Sequence, residues 1–149
     1  MIASACFVDS WAFQALTNQR DQWHEVARAT ERALQLAQVR LVTTNVVIYE
    51  TLTGIRNEAG HRAAVDFGRW VETSGRADGL EVVWVTRELH DAAWRLFERY
   101  DDKTFSFVDC LSFALMHERG IHHAFTGDRH FQQMGFITVP RLDGEGETR

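Results

Sequence analysis

Short apolar runs alternate with longer amphipathic segments along this chain. The runs cover residues 5–8, 40–43, 80–85, 122–126 and 136–139, and their length and composition predict β-strands. At least one segment with apolar residues three and four positions apart separates each pair of runs, and this spacing predicts helices with one buried face. Strands that alternate with helices favour an α/β fold with a central parallel β-sheet of about five strands and helices on both sides.

The segment from Thr104 to Met116 is apolar on almost every side, as expected of a helix packed inside a domain. This helix is expected to continue to about Arg119 and to end at Gly120. One carboxylate, Asp109, lies in the middle of the segment. Because an isolated carboxylate is costly to bury, Asp109 is expected to shift its pKa, to pair with a cation or to bind a metal ion.

Three more acidic residues follow predicted strands. Asp9 comes directly after the first strand, Glu50 lies early in the helix after the second, and Asp128 lies just beyond the fourth. Ligands bind beyond the carboxyl ends of the strands in an open parallel sheet, so these acids and Asp109 can meet at one edge. Simpler roles stay open: Asp9 could cap a helix and Glu50 could face solvent. Asp128 could belong to a turn, and Asp109 could form an ion pair.

Four carboxylates at one place repel one another and raise each other's pKa unless a cation is present. Oxygen ligands with few histidines suit Mg²⁺ or Mn²⁺, which can bind a phosphodiester and activate water for attack on it. The net charge of −5 by itself argues against a nucleic-acid partner, whose protein is normally basic. That objection weakens if the four acids bind metal, because subtracting their four charges from −5 leaves −1.

The cysteines and histidines suggest no further site. Cys6 and Cys110 lie in apolar segments, which favours reduced core thiols over a disulfide or a catalytic thiol. The histidines show no zinc-ligand spacing and are expected in strands, in helices or at the surface, His122, His123 and His130 included. No apolar run approaches the length of a membrane span, and the N-terminus lacks the features of a signal peptide, so a cytosolic protein is expected.

Four segments form an ordered set of motifs along the chain. They are FVDSWAF at 7–13, TTNVVIYET at 43–51, DKTFSFVDC at 102–110 and FTGDRHF at 125–131. The set resembles the successive motifs of PIN-domain ribonucleases, and in particular of the VapC-type toxins of bacterial and archaeal toxin–antitoxin pairs. The resemblance implies a PIN-like three-layer α/β/α fold. The length and composition of the chain predict a single domain over residues 1–142 and a polar C-terminal tail at residues 143–149.

The same resemblance implies a Mg²⁺- or Mn²⁺-dependent endoribonuclease that acts as the toxin of a toxin–antitoxin system. Its catalytic acids correspond to Asp9, Glu50, Asp109 and Asp128, and the three aspartates among them are expected to bind the metal. Supporting or substrate-binding roles correspond to Ser10, Thr44, Lys103, Ser106, Thr126 and Arg129. Lys103 and Arg129 could instead be ordinary surface charges.

The implied partners are an RNA substrate, a cognate antitoxin that inserts a helix or tail, and a second copy of the chain in a homodimer. Four aromatic residues could line the antitoxin groove or belong to the core: Trp11, Phe13, Trp23 and Tyr49. The main alternative is a non-catalytic PIN-like RNA-binding or scaffold protein, although all four acids are present.

Other hydrolase classes fit the sequence less well. A flap-type DNA nuclease is disfavoured by the short chain, which lacks DNA-threading insertions. A haloacid-dehalogenase-like phosphatase is disfavoured because no aspartate stands two positions after Asp9. A serine hydrolase is disfavoured because Ser10 lacks a nucleophile elbow.

Overall fold

The computed structural model describes residues 4–142, in which strands and helices alternate in the predicted order. The strands are β1 (Ala5–Val8), β2 (Arg40–Thr44), β3 (Glu81–Val83), β4 (His123–Phe125) and β5 (Ile137–Val139). The helices are α1 (Ser10–Thr17), α2 (His24–Leu36), α3 (Asn45–Ala59), α4 (His61–Trp70), α5 (Arg87–Arg99), α6 (Phe107–Arg119) and α7 (Arg129–Gln133). A π-helical turn, Val71–Gly75, extends α4. The expected polar tail at residues 143–149 lies outside the described residues.

The five strands form one sheet in the order β3-β2-β1-β4-β5, and every neighbouring pair is parallel. The predicted central parallel sheet is therefore confirmed. The chain moves outward in one direction from β1 to β3 and then returns to place β4 on the other side of β1. This reversal creates a switch point between the carboxyl ends of β1 and β4, where α/β folds bind their ligands.

The helices form two groups, one on each side of the sheet. Helix α1 packs on α2 and α3, α3 packs on α4, and α6 packs on α5 and α7. Right-handed crossovers in opposite directions from β1 place the two groups on opposite faces, which gives the expected three-layer α/β/α arrangement.

Helix α6 is the most deeply buried helix, as the sequence predicts. All eight residues from Asp109 to Met116 are buried, and Gly120 ends the helix in the left-handed conformation with a φ of 65°. Phe113 lies at the centre of an aromatic cluster, with its ring centroid 5.0 Å from those of both Phe105 and Phe131. This packing holds α6 and α7 rigidly beside the switch point.

Three boundaries differ from the predicted ones for local reasons. The helical spacing of apolar residues in the sequence starts at Asp21, but α2 begins at His24, because Asp21 Oδ1 accepts the Trp23 N–H at 2.7 Å and forms a turn. The spacing of apolar residues from 58 to 73 predicts one helix, but the helical conformation is interrupted at Gly60, whose φ is 100°. Strand β3 ends at Val83, and the next residue, Trp84, is 63% exposed.

Candidate active site

Thr126 connects two of the predicted acids across the switch point. Its hydroxyl donates to Asp9 Oδ2 at 2.8 Å and accepts the backbone N–H of Asp128 at 3.0 Å. The backbone N–H of Asp9 also donates to the carbonyl of Phe125 at 3.2 Å. The ends of β1 and β4 are thus joined, and their two acids stand at the same edge of the sheet.

Asp9 is a buried carboxyl group at the N-cap position of α1. It precedes α1, but its side chain makes no capping hydrogen bond, so the simpler role considered from the sequence is wrong. Burial raises the pKa of Asp9 to about 7, although the hydrogen bond from Thr126 opposes the rise. The negative charges of Asp109, Asp128 and Glu50 raise this pKa further.

Asp109 is held in the first turn of α6 by a reciprocal capping box with Ser106. The Ser106 hydroxyl accepts the Asp109 N–H at 3.0 Å, and Asp109 Oδ2 accepts the Ser106 N–H at 3.0 Å. Burial raises the pKa of Asp109, and the charge of Asp128 adds to this, whereas the hydrogen bonds from Ser106 and His130 oppose it. Ser106 therefore fixes the backbone and the side chain of the same acid.

Glu50 approaches the site from α3 and is the most exposed of the four acids. The hydroxyl of Thr44 caps this helix by accepting the Val47 N–H at 3.1 Å. Partial burial raises the pKa of Glu50, the neighbouring Ser10 hydroxyl lowers it, and the charges of Asp109 and Asp128 raise it again. The negative charges of Glu50, Asp109 and Asp128 therefore each raise the pKa of at least one other acid of the four.

His130 also lies beside Asp109 and Asp128, although its place in the sequence predicts only a strand, helix or surface position. Its Nδ1 lies 2.9 Å from Asp109 Oδ2 and 3.3 Å from Asp128 Oδ1. Asp128 caps α7 by accepting the His130 N–H at 2.9 Å. Asp128 therefore has the structural role considered from the sequence and also lies beside Asp109. The only sequence signal for His130 is its position two residues after a candidate ligand.

The two predicted basic residues lie outside this cluster of acids. Lys103 Nζ hydrogen-bonds to Asp102 at 3.2 Å, and this contact lowers the pKa of Asp102. Arg129 is exposed at the first position of α7. Lys103 therefore pairs with Asp102, and within residues 4–142 no lysine or arginine forms a salt bridge with any of the four acids.

The chemistry of this donor set fits a divalent cation. Asp109, Asp128 and His130 can each direct one ligand atom into a space where these atoms lie within 4.8 Å of one another. Asp9 adds a buried carboxyl group, whose pKa is raised by burial and by the negative charges of the other three acids. A cation that binds here would remove the repulsion among the acids, so the residues present are compatible with a metal centre.

The fold and the acids together define the class of this protein. The PIN domain family matches residues 6–137, so the chain belongs to that family. Its curated relatives include VapC20 of Mycobacterium tuberculosis, described in two strains as a 23S rRNA-specific endonuclease. This relative is 35% identical over 133 residues, which cover 89% of this chain and 96% of VapC20.

A solved structure of the same relative has a similar fold. The crystal structure of VapC20, described as a sarcin–ricin loop cleaving toxin, superposes with a TM-score of 0.78 and 34% sequence identity. The superposition covers 89% of this chain and 97% of the VapC20 chain. The resemblance predicted from the motifs is therefore confirmed at the level of family and fold.

Proposed function

We propose that this chain is a Mg²⁺- or Mn²⁺-dependent endoribonuclease and the toxin of a toxin–antitoxin pair. The observation that carries the proposal is the convergence of Asp9, Glu50, Asp109 and Asp128 at the switch point of a PIN fold. The relationship to VapC20, whose description names 23S rRNA and the sarcin–ricin loop, supports a structured loop of ribosomal RNA as the substrate.

The surroundings of the four acids suggest a different catalytic role for Glu50 than for the three aspartates. Asp9, Asp109 and Asp128 are the proposed metal ligands, because they are the acids held by Thr126, by Ser106 and by the start of α7. A bound divalent ion supplies positive charge for the phosphate oxygens and lowers the pKa of a water molecule. Glu50 is solvent-accessible and has a raised pKa, so it is suited to accept a proton from the attacking water.

RNA cleavage by the purified chain tests this function directly. The substrates are intact ribosomes and a synthetic sarcin–ricin stem-loop, each incubated with Mg²⁺, with Mn²⁺ or with EDTA. We expect metal-dependent products with 5′-phosphate and 3′-hydroxyl ends, as the family resemblance implies, and at least about a 100-fold loss in Asp109→Asn. Asp91→Asn, on the exposed side of α5, is the matched control because Asp91 forms an exposed salt bridge with Arg87. An Asp109→Asn variant that cleaves as fast as Asp91→Asn would contradict the proposal, as would binding of RNA without cleavage.

We propose that the antitoxin occupies a groove between α1, α2 and α4. The groove encloses about 480 Å³, and its apolar lining includes Phe13, Leu16, Phe67 and Trp70. Charged side chains of Arg28, Glu31 and Asp66 border the same groove, which suits an amphipathic segment with both apolar and charged residues. Arg28→Glu is expected to weaken antitoxin binding in a pull-down assay and to leave RNA cleavage unchanged.

The remaining partner and location assignments are also proposals. A homodimer is implied by the family, and Tyr49, Trp84, Trp94 and Phe97 supply exposed apolar surface for one. Light scattering after size-exclusion chromatography measures the oligomeric state. In the part of the chain that the structure describes, no helix has the length and apolar character of a membrane span. We propose a cytoplasmic location, where the RNA substrate is found.

A further inference from the structure

His130 contacts the carboxylates of both Asp109 and Asp128. Its Nδ1 lies 2.9 Å from Asp109 Oδ2 and 3.3 Å from Asp128 Oδ1, and its side chain is 25% exposed. The ring also packs edge-on against Phe105, with 5.4 Å between the centroids. The imidazole is therefore held in one orientation between the two acids.

These contacts engage one oxygen of each carboxylate and leave the other oxygen available. Asp109 Oδ2 receives the Ser106 N–H at 3.0 Å and the His130 Nδ1 at 2.9 Å. Asp128 Oδ1 receives the backbone N–H of His130 at 2.9 Å, in addition to the nearby imidazole. The donors thus determine which oxygen of Asp109 and of Asp128 remains free to bind a cation.

The carboxylates of Asp109 and Asp128 can only accept, so they require a hydrogen on Nδ1 of His130, and Thr104 is compatible with that tautomer. The Thr104 hydroxyl lies 3.0 Å from Nε2 of His130, on the side of the ring away from the acids. A hydroxyl can donate to an unprotonated ring nitrogen, and the neutral ring then carries its hydrogen on Nδ1, facing the carboxylates. Thr104, His130 and Asp109 form a continuous hydrogen-bonded chain that ends at the site.

We infer that His130 is a positioning residue, which acts from outside the ligand set to orient Asp109 and Asp128 for metal binding. The inference rests on the proposed function, because it concerns the same acids. Hydrogen-bonded partners of metal ligands typically change metal affinity by about 10- to 100-fold when removed. A positioning role requires a hydrogen-bond donor at the place of Nδ1, whereas a ligand role requires the imidazole itself.

Three substitutions at position 130 separate these roles. The side-chain amide nitrogen of Asn lies close to the place of a histidine Nδ1, whereas that of Gln reaches the place of Nε2. We expect His130→Ala and His130→Gln to raise the dissociation constant for Mn²⁺ by about 10- to 100-fold. His130→Asn should recover most of that loss, and Thr104→Val should show a smaller loss, because the tautomer is then less strongly selected.

Mn²⁺ binding is measured by calorimetry and electron spin resonance on the complete chain without RNA, so the readout does not depend on catalysis. Thermal unfolding establishes that each variant is folded, and His122→Ala, at an exposed histidine before β4, is the matched control. An unchanged dissociation constant in His130→Ala, or no recovery in His130→Asn, would overturn the inference. Nitrogen coupling to Mn²⁺ that disappears in His130→Ala would also overturn it, because His130 would then be a ligand. If wild-type protein binds Mn²⁺ but cleaves no RNA, the proposed function fails and the order of Mn²⁺ affinities still tests His130.

Discussion

The indole ring of Trp11 occupies the space that a side chain at position 127 would need. A Cβ atom built on Gly127 would lie 2.7 Å from Trp11 Nε1, closer than Cβ atoms approach other heavy atoms in proteins. Gly127 stands between Thr126 and Asp128, and Trp11 is two residues after Asp9. The ring therefore packs the start of α1 against the turn that carries the acid after β4.

Gly127→Ala is expected to displace this turn or the indole ring. Trp11 also packs against Trp23, with 6.3 Å between the ring centroids, so the indole has little room to move away. Overpacking of this kind typically costs about 1–3 kcal/mol, and we expect weaker Mn²⁺ binding because Asp128 shifts. Chemical denaturation and calorimetry measure the two effects.

A second substitution tests the cause of that loss. Trp11→Phe in the Gly127→Ala background removes part of the indole and should restore some of the Mn²⁺ affinity. Gly68→Ala is the matched control, because its new Cβ would meet only Leu52 Cδ2 at an ordinary 3.5 Å. Equal Mn²⁺ affinities in Gly127→Ala and Gly68→Ala would show that the close approach of Trp11 does not matter for the site.

The raised pKa of Asp9 predicts how stability depends on pH in the metal-free protein. The pKa is about 7 in the folded chain, whereas the ordinary value is 3.8, so the folded state binds more protons between these values. Stability must then fall as pH rises through this range, by about 1 kcal/mol between pH 6 and pH 8 from this group. Asp9→Asn removes the titration and should be more stable than wild type at pH 8.

Denaturant unfolding in EDTA at pH 6 and pH 8 measures this difference. The pH dependence of Asp9→Asn is subtracted from that of wild type, because Glu50 and Asp109 also have raised pKa values and contribute in the same direction. Identical slopes for the two proteins would show that Asp9 is already charged at pH 6. Added Mn²⁺ should stabilise wild type most at pH 8, where Asp9 is ionised and can bind the ion.

Ser106 combines a structural contribution with a functional one. Ser106→Ala removes an N-cap, which costs about 1 kcal/mol, and also loosens the turn that orients Asp109. Thr86→Ala is a matched control, because Thr86 caps α5 in the same way by accepting the Leu89 N–H at 3.1 Å. We expect similar losses in unfolding free energy but weaker Mn²⁺ binding only in Ser106→Ala. Equal Mn²⁺ affinities would mean that the capping box has no role beyond helix stability.

The two cysteines are expected to be chemically inert in the folded protein. Burial raises the pKa of Cys6 to about 12 and that of Cys110 to about 11, and both thiols are free and buried. Because the thiolate is the reactive form, iodoacetamide at pH 8 should leave both unmodified and RNA cleavage unchanged. Mass spectrometry counts the modified thiols, with urea-unfolded protein as the positive control. Rapid labelling of Cys110 with loss of cleavage would indicate a thiol role beside Asp109.

Sequence patterns predicted the acids of the site but not all of their contacts. Local spacing predicts that Asp109 lies in an apolar helix and that Asp9 comes directly after a strand. The contact of His130 with Asp109 spans 21 residues and depends on how α7 packs on α6, which no local pattern encodes. The end of β3 also depends on a distant contact, although the apolar run at 80–85 predicted a strand that includes Trp84. Its neighbour Val85 instead donates its N–H to Asn45 Oδ1 at 2.8 Å, and β3 has already ended.

The sequence by itself determined the alternation of strands and helices, the apolar character of α6 and the presence of acids after successive strands. These features depend on residues close together in the chain, whose periodicity and capping are readable directly. Only the tertiary structure decided that β4 lies beside β1, which brings Thr126 to Asp9 across 117 positions. The reason is physical: strand order and side-chain partners result from packing the whole core at once, and a single buried carboxylate obtains its partners only when that core is assembled.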